Sequence, residues 1–275
     1  MRIYYTLIIL VIHTTFVFGQ KLKDEPTSYQ DDLIFEWKKS NDTLKFIAKN
    51  KLVTSIEITF TSKENNTELE SFLLLPKDSI ELIKYTGIYS DSIFQTKFRD
   101  SIRIGYFWGH KSLINPELDY PYRFPFKKGK KYEVSQSFNG KASHNDEKSK
   151  YAIDFQLDIG EKVYAAREGI VVKVIDWFTK QGGIELRNSA NKIVILHSDG
   201  TFATYAHLDY KGTFVKEGQF VEKGQKIGVS GLTGNTRGPH LHFVVRKERD
   251  IAIPVFFKGY EGKILKQGKR YKVIN

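Results

Sequence analysis

Two histidines, His240 and His242, stand one residue apart in the stretch GPHLHF. In a strand, side chains two residues apart lie on one face, so both imidazoles should project together while Leu241 and Phe243 point the other way. Two neutral imidazoles side by side can ligate zinc or act as an acid/base pair. A bare H-x-H is equally compatible with two histidines on a solvated strand face, so the pair needs partners before it indicates a site.

Two other polar residues could supply those partners. Asp154 in YAIDF has the opposite parity to Ile153 and Phe155, which predicts a carboxylate on the polar face of an otherwise apolar strand. His207 in TYAHL stands at the end of a predicted hairpin strand. Asp154 could also be an ordinary exposed strand carboxylate, so the residues alone leave open whether these side chains form one site.

Four segments, SHNDEKSKYAIDF, VYAAREGIVVKV, IVILHSDGTFATYAHL and VEKGQKIGVSGLTGNTRGPHLHF, follow one another in the C-terminal half. Together they resemble the lysostaphin/LytM-type zinc metallopeptidases of family M23. The resemblance runs from about Ser135 to Val245, some 110 of the 275 residues. Members of that family cut peptide cross-bridges or stem peptides of bacterial peptidoglycan. The resemblance therefore implies an exported zinc-dependent endopeptidase acting on peptidoglycan peptides.

The resemblance also implies roles for individual residues. In the family, one zinc ion is held by the histidine and aspartate of an H-x-x-x-D element and by the second histidine of H-x-H. Asp154 and His242 match the last two of these ligands. The two catalytic histidines that do not bind metal match His207 and His240, which would serve in acid/base catalysis and oxyanion stabilisation.

One element departs from the family pattern. The first position of H-x-x-x-D is occupied by Lys150, a poor zinc ligand at neutral pH. The nearest upstream histidine is His144, ten residues before Asp154, so an insertion of six residues would have to form a loop that returns His144 to the metal. We predict that His144, Asp154 and His242 hold one Zn²⁺ per chain. The alternative is a metal-free relative that binds peptidoglycan or activates another cell-wall hydrolase.

Two further residues near the predicted cluster need a role. Tyr205 has the same strand parity as His207, so we predict a substrate-binding position that lines the groove or bonds the oxyanion; a cross-strand aromatic pair is the alternative. His197 shares its parity with Ile193 and Ile195, which favours a packing or turn role.

The chain is predicted to be all-β. Residues 20–120 alternate in short β-type runs, clearest in SIEITFTS, and predict a small β-sandwich-like domain of unknown role. Residues 121–131 belong to a stretch that holds three of the seven prolines and predict a linker. Residues 132–275 predict an antiparallel β peptidase domain of the M23/LytM type. Their paired β-runs around glycines also resemble carrier domains, which would need a modifiable lysine at a hairpin tip.

The N-terminus and the charge suggest where the protein works. Residues 1–19 carry one charge, Arg2, and a mostly apolar run too short to span a bilayer easily, which predicts a signal peptide and an exported protein, periplasmic or extracellular, with no integral membrane span after leader removal. The net charge of +11 predicts association with anionic envelope polymers, although solubility alone could explain it. Export makes nucleic acid an improbable partner, and the absence of cysteine excludes disulfides and thiolate ligands.

Overall fold

A computed structural model describes residues 32–87 and 89–274, so the predicted signal peptide lies outside the described residues. The chain divides into two compact units between Tyr106 and Phe107. Both are built mainly from antiparallel strands, which confirms the predicted all-β class. Among the residues described, no helix is long and apolar enough to cross a membrane.

The first unit contains two three-stranded antiparallel sheets. One has the order β1-β2-β5, formed by β1 (Leu33–Ser40), β2 (Thr43–Asn50) and β5 (Ser79–Tyr85). The other has the order β4-β3-β6, formed by β3 (Ile56–Ser62), β4 (Glu68–Leu74) and β6 (Ile102–Trp108). Strand β2 alternates buried and half-buried residues along its whole length, the pattern of a strand with one face in a core.

The first unit also contains a helix, α1 (Asp91–Ser101), that the sequence pattern did not predict. Its apolar stripe is essentially the pair Phe94 and Phe98, one helical turn apart, whose rings lie 6.0 and 5.7 Å from the ring of Trp37. The ring of Phe98 also lies 5.5 Å from that of Phe60. An eleven-residue helix with two anchoring aromatics gives too weak a 3.6-residue period to stand out among the neighbouring strands.

The second unit is organised around a nine-stranded sheet. Its order is β16-β11-β13-β14-β19-β9-β8-β22, and β20 pairs with β19. The strands are β8 (Lys131–Gln136), β9 (Ile153–Gln156), β11 (Gly169–Ile175), β13 (Lys192–Leu196), β14 (Phe202–Ala206), β16 (Phe220–Val221), β19 (His240–Arg246), β20 (Ala252–Ile253) and β22 (Arg270–Lys272).

Smaller elements complete the second unit. A three-stranded antiparallel sheet has the order β10-β17-β15, formed by β10 (Lys162–Tyr164), β15 (Leu208–Thr213) and β17 (Lys226–Ser230). Two short parallel pairs join β7 (Pro121–Tyr122) to β21 (Phe256–Phe257) and β12 (Gln181–Gly182) to β18 (Gly234–Asn235). Short 3₁₀ helices span Lys111–Leu113, Ile184–Leu186 and Glu248–Asp250.

The core of the second unit explains how the large sheet presents its polar face. Leu241 and Phe243 on β19 are fully buried in the main apolar cluster, together with side chains from the smaller sheet such as Val163 and Ile227. The alternation of the strand then places the H-x-H histidines on the opposite face of β19, as predicted. The predicted hairpin is also present, since β13 and β14 pair antiparallel around a turn in which Gly200 has a φ of 84°.

Residues 121–131, for which the prolines predict a linker, lie inside the second unit. Tyr122, Phe124 and Phe126 belong to its main apolar core and are 2%, 0% and 0% exposed. Pro125 lies between Phe124 and Phe126 in the sequence, and both of these rings are buried. The segment therefore contributes packing to the unit that carries the histidines.

Candidate metal centre and active site

Two central strands of the large sheet bring the predicted aspartate and one histidine face to face. Strand β19 pairs antiparallel with β9, and His242 lies directly opposite Asp154 in the register. Cross-strand neighbours of this kind have Cβ atoms only about 4.5–5.5 Å apart, close enough for their side chains to bond. The His242 Nδ1 atom lies 2.8 Å from Asp154 Oδ1.

His144 reaches the same carboxylate from the loop between β8 and β9. Its side chain is fully buried, and its Nε2 atom lies 3.2 Å from Asp154 Oδ1. The loop is closed by hydrogen bonds, including Asn139 N to Lys150 O at 2.7 Å and Ser149 Oγ to the Ser143 carbonyl at 2.8 Å. Lys150 itself is turned to an ion pair with Glu147 at 2.8 Å. The inserted residues thus form a loop that brings His144, and not Lys150, to Asp154.

Three side chains, His144, Asp154 and His242, each offer one ligand atom, and these atoms all lie within 4.8 Å of one another. Tetrahedral zinc with bonds of about 2.0–2.1 Å to nitrogen keeps its ligand atoms about 3.3 Å apart. The observed separations from Asp154 Oδ1, 3.2 Å to His144 and 2.8 Å to His242, are close to that spacing.

The tautomer of His144 supports a cation at this point. Its Nδ1 lies 2.9 Å from the carbonyl oxygen of Ser137, which can only accept, so Nδ1 donates and Nε2 of the neutral ring keeps its lone pair. That Nε2 is buried and finds no hydrogen-bond partner among the described residues. A lone pair facing a carboxylate oxygen needs a proton or a metal ion between them, so the residues present fit a metal site.

Gln136 on β8 holds this arrangement from behind. Its Nε2 donates to Asp154 Oδ2 at 3.0 Å and to Ser143 Oγ at 2.7 Å, and its Oε1 accepts the backbone N–H groups of Ala142 and Ser143 at 3.1 and 3.2 Å. One buried amide therefore joins the aspartate to the loop that carries His144. Sequence reasoning missed it, although Gln136 is a polar residue at the buried parity of Tyr132 and Val134.

His207 and His240 form the second half of the cluster. Their ring centroids lie 4.5 Å apart, and His240 Nε2 lies 3.8 Å from Asp154 Oδ1. His207 Nδ1 lies 2.7 Å from the carbonyl oxygen of Thr233, and His240 Nδ1 lies 2.9 Å from that of Gly238. In each neutral ring Nδ1 is therefore the donor, and Nε2 remains a proton acceptor.

The local fold accounts for the position of His207. Strand β14 ends at Ala206, and His207 has a φ of 65°, in the left-handed region that residues other than glycine seldom adopt. Its carbonyl accepts the N–H of Gly231 at 2.9 Å, which helps to hold that conformation. Left-handed backbone at a non-glycine residue costs about 1–3 kcal/mol and is frequent at functional sites.

Burial and neighbouring charge set the protonation of the cluster. Burial, reinforced by His240 and His242, lowers the pKa of His207 to about 3. Burial also lowers the pKa of His242. For Asp154, burial would raise the pKa, but hydrogen bonds with His144 and His242 hold it well below the usual carboxyl range. For His144, burial opposes the charged form and the adjacent Asp154 outweighs it, so the pKa is raised. The site therefore combines an ionised carboxylate, Asp154, with two imidazoles, those of His207 and His242, that burial keeps neutral.

The prediction that Tyr205 binds substrate is corrected by the structure. Its side chain is fully buried, its hydroxyl accepts the backbone N–H of Ala166 at 2.8 Å, and its ring packs 5.2 Å from that of Phe243, its neighbour across β14 and β19. The shared parity with His207 fails because the backbone leaves the strand conformation at His207. Tyr205 and Phe243 therefore form a cross-strand aromatic pair, which is the alternative that the sequence left open.

His197 has a packing role, as the sequence favoured. It is 3% exposed in the second unit, and its Nδ1 lies 2.9 Å from Thr201 Oγ1. Burial, together with the nearby Arg167 guanidinium, lowers its pKa to about 3. It therefore stays neutral and lies apart from the metal-ligand group.

Comparison with known proteins finds a family model that matches part of the chain. The family model of peptidase family M23 matches residues 148–254, a segment that includes Asp154, His207, His240 and His242 and begins after His144. The chain is 34% identical over 119 residues to peptidoglycan DD-endopeptidase ShyA of Vibrio cholerae, covering 41% of this chain and 24% of ShyA. It is 38% identical over 94 residues to lysostaphin of Staphylococcus simulans, covering 34% of this chain and 17% of lysostaphin. It therefore spans about a quarter or less of these relatives' length.

One of the solved structures that this chain matches is described as a zinc containing peptidase from Vibrio cholerae. It has a TM-score of 0.38 and 22% sequence identity, and the match covers 77% of this chain and 54% of the other.

Proposed function

We propose that this chain is an exported zinc-dependent endopeptidase that hydrolyses peptide bonds of bacterial peptidoglycan, in a cross-bridge or a stem peptide. The match of residues 148–254 to the model of peptidase family M23 supports this proposal. One observation carries the proposal: a buried histidine, an ionised aspartate and a strand histidine lie close together, with two further histidines, His207 and His240, beside them. The relatives described as peptidoglycan endopeptidases support the choice of substrate.

The residues that would hold the zinc ion are His144, Asp154 and His242. Three protein ligands are the usual complement of a catalytic zinc site, which keeps a further coordination position for water or substrate. When bound, zinc supplies a Lewis acid for the scissile carbonyl and lowers the pKa of a bound water toward about 7. Gln136 orients Asp154 through Oδ2 and leaves Oδ1 directed at the two histidines.

His207 and His240 would move the proton. In each ring the Nδ1 atom is committed to a backbone carbonyl, so Nε2 can accept a proton from the attacking water. The protonated ring can then donate to the leaving amine or to the developing oxyanion. The low pKa of His207 means that a proton taken up there is readily passed on.

The direct test is digestion of purified peptidoglycan by the purified protein, followed by identification of the released peptides. We expect soluble fragments with newly exposed amino groups from the wild type and a loss of turnover of about 10²–10⁴-fold in His207→Ala, the usual contribution of a general acid or base. The variant should still retain its metal, since His207 is outside the ligand group. His110→Ala is the matched control, because His110 bonds only locally to Ser112 in the described structure.

Two outcomes would contradict the proposal. Wild-type protein loaded with zinc that releases nothing from cross-linked peptidoglycan would favour the metal-free or regulatory alternative. Equal activity of His207→Ala and His110→Ala would remove His207 from the chemistry.

A further inference from the structure

A basic pocket lies in the second unit outside the residues of the metal centre. It has a volume of about 380 Å³ and is lined by Pro121, Arg123, Lys223, Lys258 and Glu261. Three of the five lining side chains are cationic and one is anionic. The lining therefore carries a formal charge of +2 at neutral pH.

The three cations have no carboxylate partner. Among the described residues, none of Arg123, Lys223 and Lys258 lies within 4.0 Å of an acidic oxygen, although the structure contains many other such pairs. Lys223 Nζ instead donates to the hydroxyl of Tyr120 at 3.0 Å. Glu261, the one acid in the lining, accepts the backbone N–H of Gly259 at 2.7 Å. Glu261 and Lys258 oppose each other in charge, so the positive charge of the pocket is offset only in part within the unit.

Arg123 is the best-placed of these cations. Its Nε atom is buried and has no hydrogen-bond acceptor among the described residues. Arg123 as a whole is only partly buried and lines the pocket, so other atoms of its side chain can meet a ligand there. Burial also lowers the pKa of Arg123, which shows that its charge is poorly compensated. An anion in the pocket would offset that cost.

The backbone around Arg123 is tied to the rest of the unit, and its guanidinium packs against Gly224. The Arg123 backbone N–H donates to Ala166 O at 3.1 Å, and that of Gly224 donates to Ala165 O at 2.8 Å, so both segments are fixed to one strand connection. A Cβ added at Gly224 would lie 1.7 Å from Arg123 Nη1, so the guanidinium rests directly on the glycine backbone. A planar guanidinium fork is suited to bidentate recognition of phosphate or carboxylate.

We propose that this basic pocket binds a phosphate group carried on a larger molecule. The formal charge of +2 matches the charge of about −1.5 to −2 of a phosphate monoester at neutral pH better than that of a single carboxylate. The volume is that of a small-molecule site and leaves room beside the phosphate for the group that bears it. The pocket contains neither the metal ligands nor the catalytic histidines, so this proposal can be tested independently of the proposed peptidase activity.

Isothermal titration of the full-length mature protein at low ionic strength tests the proposal. The probes are glycerol 3-phosphate, inorganic phosphate and succinate, a dicarboxylate of similar charge. We expect binding in the order glycerol 3-phosphate, inorganic phosphate, succinate. Arg123→Gln should weaken glycerol 3-phosphate binding by about tenfold or more, the loss expected for a charge-assisted pair. Lys216→Gln, which removes an exposed lysine from outside the pocket, should change it by less than about twofold.

Lys258→Gln provides a second variant if Arg123→Gln does not fold, because Lys258 is exposed at the pocket and a smaller loss of phosphate affinity is expected there. The proposal would be overturned if Lys216→Gln weakened glycerol 3-phosphate binding as much as the pocket variant, Arg123→Gln or Lys258→Gln, does. General attraction between opposite charges would then explain the binding. Absence of phosphate binding to the wild type, or succinate binding as tightly as glycerol 3-phosphate, would also overturn it. Equal affinity for glycerol 3-phosphate and inorganic phosphate would overturn the proposal that the phosphate is carried on a larger molecule. Free phosphate would then be the occupant.

Discussion

At the residue scale, the chemistry of the centre depends on which nitrogen of each imidazole carries a proton. His144, His207 and His240 each place Nδ1 against a backbone carbonyl oxygen, at 2.9, 2.7 and 2.9 Å. Carbonyl groups only accept, so in all three neutral rings Nε2 is left as the acceptor. His242 differs because its Nδ1 faces Asp154. Backbone carbonyls thus fix three tautomers, which side-chain spacing in a sequence cannot reveal.

Gln136 is predicted to be a positioning residue for the metal. Gln136→Ala leaves Asp154 Oδ2 and the N–H groups of Ala142 and Ser143 without their present partner, so both the aspartate and the His144 loop lose support. We expect zinc affinity to fall by about 10–100-fold, the usual cost of removing a group that orients a ligand. Competition with a chromophoric chelator measures this, with Gln267→Ala, at an exposed loop position, as control. Unchanged affinity in Gln136→Ala would show that the amide serves packing alone.

At the element scale, the pairing of β9 with β19 positions most of the site, because it places His242 opposite Asp154. A period of two predicts that His240 and His242 share a face and that Asp154 occupies the polar face of its strand, so this part of the site could be predicted from the sequence. The return of His144 could be posed only as a hypothesis, because loop geometry is not encoded in a repeating pattern. Tyr205 was misplaced because the strand ends at Ala206 and the backbone of His207 adopts a positive φ.

The hairpin of β13 and β14 makes stability depend on pH through His197. Its pKa is about 3 in the folded protein, mainly because of burial, against about 6.5 in an unfolded chain. Between these pH values His197 is protonated in the unfolded state and neutral in the folded state. Its contribution to stability is therefore full above pH 6.5 and decreases as the pH falls toward 3. His207 acts in the same direction. Carboxylates such as Asp199, whose pKa is lowered, add to the loss only at more acidic pH.

We expect the unfolding free energy of the metal-free protein to fall between pH 6.5 and 4.5 by up to about 1.4 kcal/mol per pH unit for each such histidine. His197→Gln should reduce this slope of stability against pH by the contribution of one histidine. Urea unfolding at several pH values measures both slopes. A slope that is the same in wild type and His197→Gln would mean that His197 protonates equally in both states.

At the scale of the whole molecule, the chain combines two β-rich units with a strongly basic composition. The cluster of potential metal ligands lies entirely in the second unit. The all-β class followed from short alternating runs with glycine and proline punctuation. The helix α1 and the packing of residues 121–131 into the second unit did not, since both depend on aromatic contacts between segments distant in sequence.

Zinc should stabilise the folded molecule by mass action. A ligand that binds only the folded state adds about 2.7 kcal/mol to the unfolding free energy at a concentration one hundred times its Kd. We therefore expect denaturant unfolding of the wild type to shift upward with added zinc, and that of His242→Ala to stay within error of its metal-free value. An equal shift in both proteins would place the stabilising metal at another site.

The central claim is that the inserted loop replaces the missing ligand at position 150 with His144. Metal content of the purified mature protein, compared among wild type, His144→Ala and Lys150→Ala, tests it most directly. The account predicts about one zinc per chain in the wild type and in Lys150→Ala, and little in His144→Ala, because a three-ligand site cannot lose its buried imidazole without losing most of its affinity. Full zinc occupancy in His144→Ala, or no zinc in the wild type after incubation with excess metal, would contradict it.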